Sequence, residues 1–147
     1  MKILFLILLS FSLHAQPKWY RIDKHDIGMM IGQAMAGTAD GFNQSIQSEH
    51  ITGNQFWNYH VSWKNKYKNF DQGDKRPAFF LSTSALVFLT DGYHLTRMLN
   101  RTCDLVSFGL GMEDLSRYEK KDRWKVILKK VILSAIANRV AFNIIYK

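Results

Sequence analysis

The sequence predicts an all-α protein, a compact bundle of about three principal helices with short ones beside them, preceded by a signal peptide. Three observations predict it. Apolar residues recur at helical spacing in stretches near residues 26–40, 77–102 and 122–145. No alternating segment rich in Val and Thr argues for a sheet. Hydrophobic residues make up 47% of 147 residues and aromatic residues 14%, too much to stay disordered and room for one domain.

The first residues read as an export signal. Met1-Lys2 is a short basic region, Ile3–Leu13 is an apolar core, and Ser12-Leu13-His14-Ala15 ends on a small residue before Gln16-Pro17. Cleavage is expected after Ala15, leaving residues 16–147 as a single helical envelope domain. The alternative is an uncleaved amino-terminal anchor. No cysteine follows the apolar core, so this is not a lipoprotein signal. The expected location is the cell envelope, in the periplasm or at the inner membrane. Cys103 is the lone cysteine, which excludes an intramolecular disulfide and a cysteine metal cluster. A formal net charge of +8 suits an anionic partner. With an export signal present, that partner is a membrane surface or anionic lipid and not nucleic acid.

Asp23 and Asp26 stand where a helix amino terminus favours negative charge. A first helix is expected from about Asp26 to Asp40. In it Gly28, Gly32 and Ala36 recur every four residues, and Asp40 continues the row. Such a row makes a flat face that lets a second helix approach closely, and it also fits self-association into a homo-oligomer. Asn43–Pro77 has no sustained apolar period. It reads as a long aromatic and basic loop, with turns at Gly53-Asn54 and Asp71–Asp74 and one short helix near Asn54–Asn65.

Pro77 suits the first turn of a second helix, expected to run to about Thr102. Counted from Asp91, one of its faces carries Ser84, Phe88, His94, Met98 and Arg101, a polar stripe expected to pack inward. Gly92 within that helix costs about 1 kcal/mol against alanine, so either a close contact or a helix break is expected there. Val106–Met112 reads as a turn or short apolar bridge and Glu113–Arg123 as a solvated connector. The last helix is expected from about Asp122 to Ile145, with Trp124, Leu128, Val131, Ala135, Asn138, Phe142 and Ile145 on one side.

Chemistry centres on Thr90-Asp91-Gly92-Tyr93-His94. An acid and an imidazole three residues apart share one helix face. Thr38-Ala39-Asp40-Gly41-Phe42 repeats the Thr-to-aromatic arrangement. Asp40, His60, Asp91 and His94 form the candidate set for acid–base work or a divalent metal. Lys64, Lys66 and Arg97 are the candidates for attracting an anionic group. The plainer expectation is that Asp91 and His94 bond each other or a helix end. No His-Glu-x-x-His, nucleophile elbow, phosphate loop or dinucleotide fingerprint is present, so no metal or cofactor is specified.

No stretch is a clean membrane span. Uninterrupted apolar runs are near a dozen residues, against about twenty for a transmembrane helix. Asp91 or Arg97 at bilayer depth would cost about 2.5–3.5 kcal/mol each. In a three-span topology the basic loop before Pro77 would agree with the positive-inside rule, and the loop holding Arg117, Lys120, Lys121 and Arg123 would not. A helical body in the periplasm or at the membrane surface, with partial insertion, is expected.

Trp63-Lys64-Asn65-Lys66-Tyr67-Lys68-Asn69, with Gln55-Phe56-Trp57 before it and Thr90–His94 after it, resembles a set of small exported or membrane proteins of Bacteroidota-type bacteria. That resemblance covers most of the mature chain and implies source and compartment, with no activity to transfer. The run from Trp19 to His25 leading into a glycine-rich helix is similar to YfiM-type and VanZ-like helical envelope proteins. The expected role is a small, basic, membrane-associated envelope protein without catalysis that supports a protein partner. The alternative is a metal-dependent or acid–base envelope enzyme acting on an anionic lipid or cell-wall precursor.

Overall fold

The structure, a computed structural model, describes residues 18–51 and 53–146. The signal peptide expected at residues 1–15 lies outside the described residues.

The first helix, α1, is Lys24–Gln47. Asp23 starts it. Its carboxylate accepts the backbone N–H groups of His25 and Asp26, and Asp26 returns the bond by accepting from the Asp23 N–H at 3.1 Å. This reciprocal capping satisfies donors that a helix end otherwise leaves open. The helix continues past its expected end at Asp40 because its glycines serve packing. A Cβ on Gly41 would come within 2.9 Å of Ile145, so the glycine is kept for a close neighbour and does not terminate the helix.

Two other long helices flank α1. The short α2 is Tyr59–Ser62, α3 is Gly92–Leu115 and α4 is Arg123–Ile145. α3 runs antiparallel to α1: Gly28 lies against Leu110, Gly32 against Ser107, and Asn100 donates to the Ala36 carbonyl at 2.9 Å. α4 runs parallel to α1: Asp26 meets Lys130, Gly37 meets Asn138 and Gly41 meets Ile145. α3 and α4 pack on different faces of α1 and have few contacts with each other. The Gly28, Gly32, Ala36 row brings a helix close, as expected. A second small row, Gly37 and Gly41, does the same for α4.

The expected second helix from Pro77 to Thr102 is corrected in three ways. Ala78–Leu86 folds as consecutive turns, followed by a 3₁₀ turn at Val87–Leu89. α3 begins only at Gly92, capped by Asp91. The Trp57 ring lies so close that a Cβ on Gly92 would stand 2.2 Å from it, so the close contact and the helix break coincide. Finally, Val106–Met112 is no bridge but the second half of α3. Its inward row is Thr96, Asn100, Cys103, Ser107, Gly111 and Asp114 at helical spacing. A search for apolar periodicity overlooks a row made of polar and small residues.

The all-α expectation needs one further correction. Strands β1, Tyr67–Asn69, and β2, Asp74–Pro77, form an antiparallel hairpin. Gly73 turns it at φ 81°, a left-handed conformation that glycine takes without strain. The hairpin lies where α1 ends and α3 begins. Asn65 donates to the Thr90 carbonyl at 2.9 Å, and the Gly92 N–H donates to the Phe56 carbonyl at 2.9 Å.

α4 falls within one residue of its expected bounds, but its buried side differs. Val126, Lys130 and Ala141 are buried. Trp124, Leu128 and Val131, from the side that the sequence lined mostly with apolar residues, are more than half exposed. The pattern is general. The buried apolar side chains are Met29, Ala36, Ala39, Ile46, Val126 and Ala141, mostly small. Inside the same three helices are His25, Asp26, Asn43, Ser45, Thr96, Ser107, Asp114 and Lys130. Outside are Ile27, Ile31 and Met35 of α1, Leu105, Phe108 and Met112 of α3, and Ile127, Ile132, Ile136, Val140 and Ile144 of α4. This inverts the distribution of a helix packed in water. No described helix is long and apolar enough to cross a membrane.

Candidate functional site

The residues singled out by sequence fall into separate groups. Asp91 is buried at the start of α3. One of its oxygens accepts the His94 N–H at 2.8 Å, the other accepts the Thr90 hydroxyl at 3.2 Å, and the His94 ring nitrogen Nδ1 lies 2.8 Å away. Its acceptors are therefore spent on the cap, as the plainer expectation had it. His60, on α2, pairs instead with Glu49 at 2.6 Å on the exposed surface. Asp40 is half-buried on α1 and joins neither couple. Among the described residues, the one set of acidic or imidazole groups close enough to share an ion is a different one, Asp23, Asp26 and Asp114. Lys64 pairs with Asp71, the Lys66 ammonium lies 5.2 Å over the Tyr67 ring, and Arg97 donates to the Tyr93 hydroxyl at 2.9 Å.

If Asp91 serves the cap, its charge is secondary to its acceptor oxygen. Asp91→Ala is then expected to cost about 0.5–2 kcal/mol in unfolding free energy, and Asp91→Asn much less. Equal losses for both variants in denaturant titrations would contradict the capping role.

The centre that the structure does assemble joins three helices. Asp26 comes from the first turn of α1, Asp114 from the last turn of α3, and Lys129 and Lys130 from the second turn of α4. Asp26 and Asp114 are fully buried and Lys130 nearly so. The Lys129 ammonium donates to Asp26 at 2.6 Å and Lys130 donates to its other oxygen at 2.9 Å. Lys130 also stands 2.9 Å from Asp114 Oδ2. Lys130 thus answers Asp114 as an ion pair, and His25 Nε2 has no hydrogen-bond partner among the described residues. The carboxylates of Asp23, Asp26 and Asp114 bring oxygens within 4.8 Å of one another.

Burial pushes the Asp26 carboxyl up, but the hydrogen bonds from Lys129 and Lys130 outweigh it and hold it below the usual range. Burial pushes Lys130 down, and Asp114 and Asp26 outweigh that, leaving it raised. Asp26 and Lys130 are thus charged together. Burial, then the carboxylates of Asp114, Asp23 and Asp26, lifts the Tyr118 phenol above its ordinary value. Lys130 occupies the position between Asp26 and Asp114 that a bound cation would take. Chemically, this is an ionic clip between helices.

Sequence reasoning placed Asp23 and Asp26 at a helix terminus and assigned no role to Asp114, Lys129 or Lys130. One signal was present. Lys130 and Asp114 each stand in a row of small or buried residues at helical spacing, where an ionisable group needs a partner. Comparison with protein families, curated proteins and solved structures yields no match to this chain. Fold and site define its class: a mainly helical protein of three long helices with a small polar interior, exposed apolar faces and a buried ionic clip.

Proposed function

We propose that this is a small, basic, membrane-associated helical protein of the cell envelope with a structural or interaction role and no catalysis. The inverted distribution of side chains carries the reading. Apolar faces on all three long helices would be costly in water and are natural against lipid tails. Helices held by small residues and interhelical polar contacts suit a setting where burial from water does not drive them together. Ionisable groups in lipid face the bundle interior and pair with one another, as Asp26, Lys130 and Asp114 do.

Each long helix has 23 or 24 residues, a length of about 35 Å, comparable with the hydrocarbon core. Averaged hydropathy counts the inward Thr, Asn, Ser, Asp and Lys side chains as though they met lipid. That depresses the mean of a helix whose outer face is apolar. The absence of catalysis is supported by the way the polar groups are used: Asp91 and His94 at a helix start, and Lys129 and Lys130 on carboxylates. Export to the envelope belongs to the same proposal and rests on residues 1–15.

The test is fractionation of cells expressing the chain with its native amino terminus. The protein is expected in the membrane pellet, to remain there through alkaline carbonate and to leave only with detergent. Recovery in the soluble fraction, free of lipid and protein partner, would overturn the proposal.

A further inference from the structure

We propose that the hairpin at the end of the bundle binds anionic phospholipid, with the Phe79–Leu81 turn seated in the bilayer interface and Lys66, Lys68 and Lys75 on phosphate headgroups. This rests on the membrane reading above and says which element selects the lipid.

The turn is an apolar tip. Phe80 is 81% exposed, and Phe79 and Leu81 flank it at 41% and 40%. Leu81 has φ 59°, a left-handed conformation uncommon for a branched side chain. It is held by its neighbours: the N–H groups of Ser84 and Leu86 both donate to the Leu81 carbonyl, each at 3.0 Å. The tip is also tied to the basic hairpin. The Lys66 carbonyl accepts the Ala78 N–H at 3.0 Å and the Ser82 hydroxyl at 2.7 Å. Ser82, next to the three exposed side chains in sequence, is fully buried. The fold therefore ties the turn that carries Phe80 to the basic hairpin at Lys66.

The charge of the hairpin is only partly answered within it. Asp71 takes Lys64, and Asp74 takes Arg76 at 2.8 Å, which holds the Asp74 carboxyl down to about 2. Lys66, Lys68 and Lys75 have no carboxylate partner among the described residues. The Lys66 and Lys75 ammoniums lie over the rings of Tyr67 and Phe70, at 5.2 and 5.5 Å. Lysine interleaved with Tyr, Trp and Phe is the composition of a headgroup-level belt. An acidic protein or polymer would answer the charge and leave Phe80 in water. A bilayer with anionic headgroups takes the apolar tip and the positive charge together.

The experiment is flotation of the purified full chain with vesicles of phosphatidylcholine alone or mixed with phosphatidylglycerol. Wild type is expected to bind both and to prefer the anionic vesicles, with a preference that shrinks as salt rises. Each lysine near a charged surface contributes about fivefold, so Lys66→Gln/Lys68→Gln/Lys75→Gln is expected to lose about a hundredfold of that preference. Phe80→Ser is expected to weaken binding to both vesicle types. These side chains lie outside the helix interfaces, and circular dichroism checks that the variants fold.

A triple variant with the wild-type preference, or wild type binding both vesicles equally, overturns the hairpin proposal and leaves the membrane reading standing. Wild type floating with neither overturns both. Flotation with neither, with retention on immobilised polyglutamate that the triple variant loses, overturns the lipid in favour of an acidic macromolecule.

Discussion

Lys130→Met is expected to lower the unfolding free energy by about 3–5 kcal/mol, as breaking a buried ion pair from one side does. A domain of this size has about 5–15 kcal/mol in all. The substitution is close in volume, so the loss is electrostatic. It leaves Asp26 with Lys129 alone and Asp114 with no cation at all, both fully buried. Asp26→Asn/Asp114→Asn/Lys129→Met/Lys130→Met removes all four charges together and is expected to recover much of the loss, since a neutral interior needs no counterion. Thermal or denaturant unfolding followed by circular dichroism measures both. A single Lys130→Met variant as stable as wild type would show that the clip does not hold the helices.

The clip also sets a pH dependence. The Asp26 carboxyl is depressed in the folded protein. Its contribution is complete above the unfolded value of about 3.9 and is lost as pH falls through the lower folded one. Lys130 is raised. Its contribution is complete below the unfolded value of about 10.4 and is lost as pH rises through the higher folded one. As far as the clip is concerned, stability has a plateau between roughly pH 4 and pH 10 and falls on both sides. Asp26→Asn is expected to flatten the acid limb, and an unchanged acid limb would remove Asp26 from the account.

The second large effect is expected at glycines, and it differs by position. Gly37→Ala puts a Cβ 2.1 Å from the Asn138 carbonyl oxygen, which is backbone and cannot turn away. α4 must shift from α1, at an overpacking cost of about 1–3 kcal/mol against a helix-propensity gain of about 1. Gly37→Leu is expected to cost more. At Gly32 the nearest atom is the Ser107 hydroxyl, at 2.2 Å, and a side chain can rotate. Gly32→Ala is therefore expected to be milder than Gly37→Ala. Gly109 meets nothing within 4 Å, and Gly109→Ala is expected to stabilise by up to about 1 kcal/mol. The order of the three midpoints tests the α1–α4 approach, and equal midpoints would contradict it.

Much of the local structure was legible because its causes are local. Asp23 and Asp26 marked the start of α1, and the Gly28, Gly32, Ala36 row marked a close helix contact. Gly92 drew attention to a contact or break that proved to be both. The aromatic–lysine segment was read as a loop with a turn at Asp71–Asp74, but its short hairpin was not foreseen, because two strands of three and four residues carry too little alternation. The second half of α3 was missed for the opposite reason. Its inward row is polar, and an apolar period was the signal sought.

The clip could not be read from the sequence. Its charges come from three helices, with 104 positions between Asp26 and Lys130, and no spacing rule spans that distance. Asp40, His60, Asp91 and His94 were grouped by chemical type alone. The fold gives Asp91 and His94 to a helix cap, His60 to Glu49, and Asp40 to neither.

The sequence by itself determined that the chain is mainly helical, where α4 lies, and which side of α1 is small enough for a close neighbour. These follow from propensity, capping and side-chain size, which act over a few residues. Only the tertiary structure decided which side of each helix turns inward. A polar row and an apolar row on one helix have the same period of 3.6, so periodicity says that a helix has two faces and not which of them is buried. Here the small and polar faces meet one another, close around Asp26, Lys130 and Asp114, and leave the apolar faces outside.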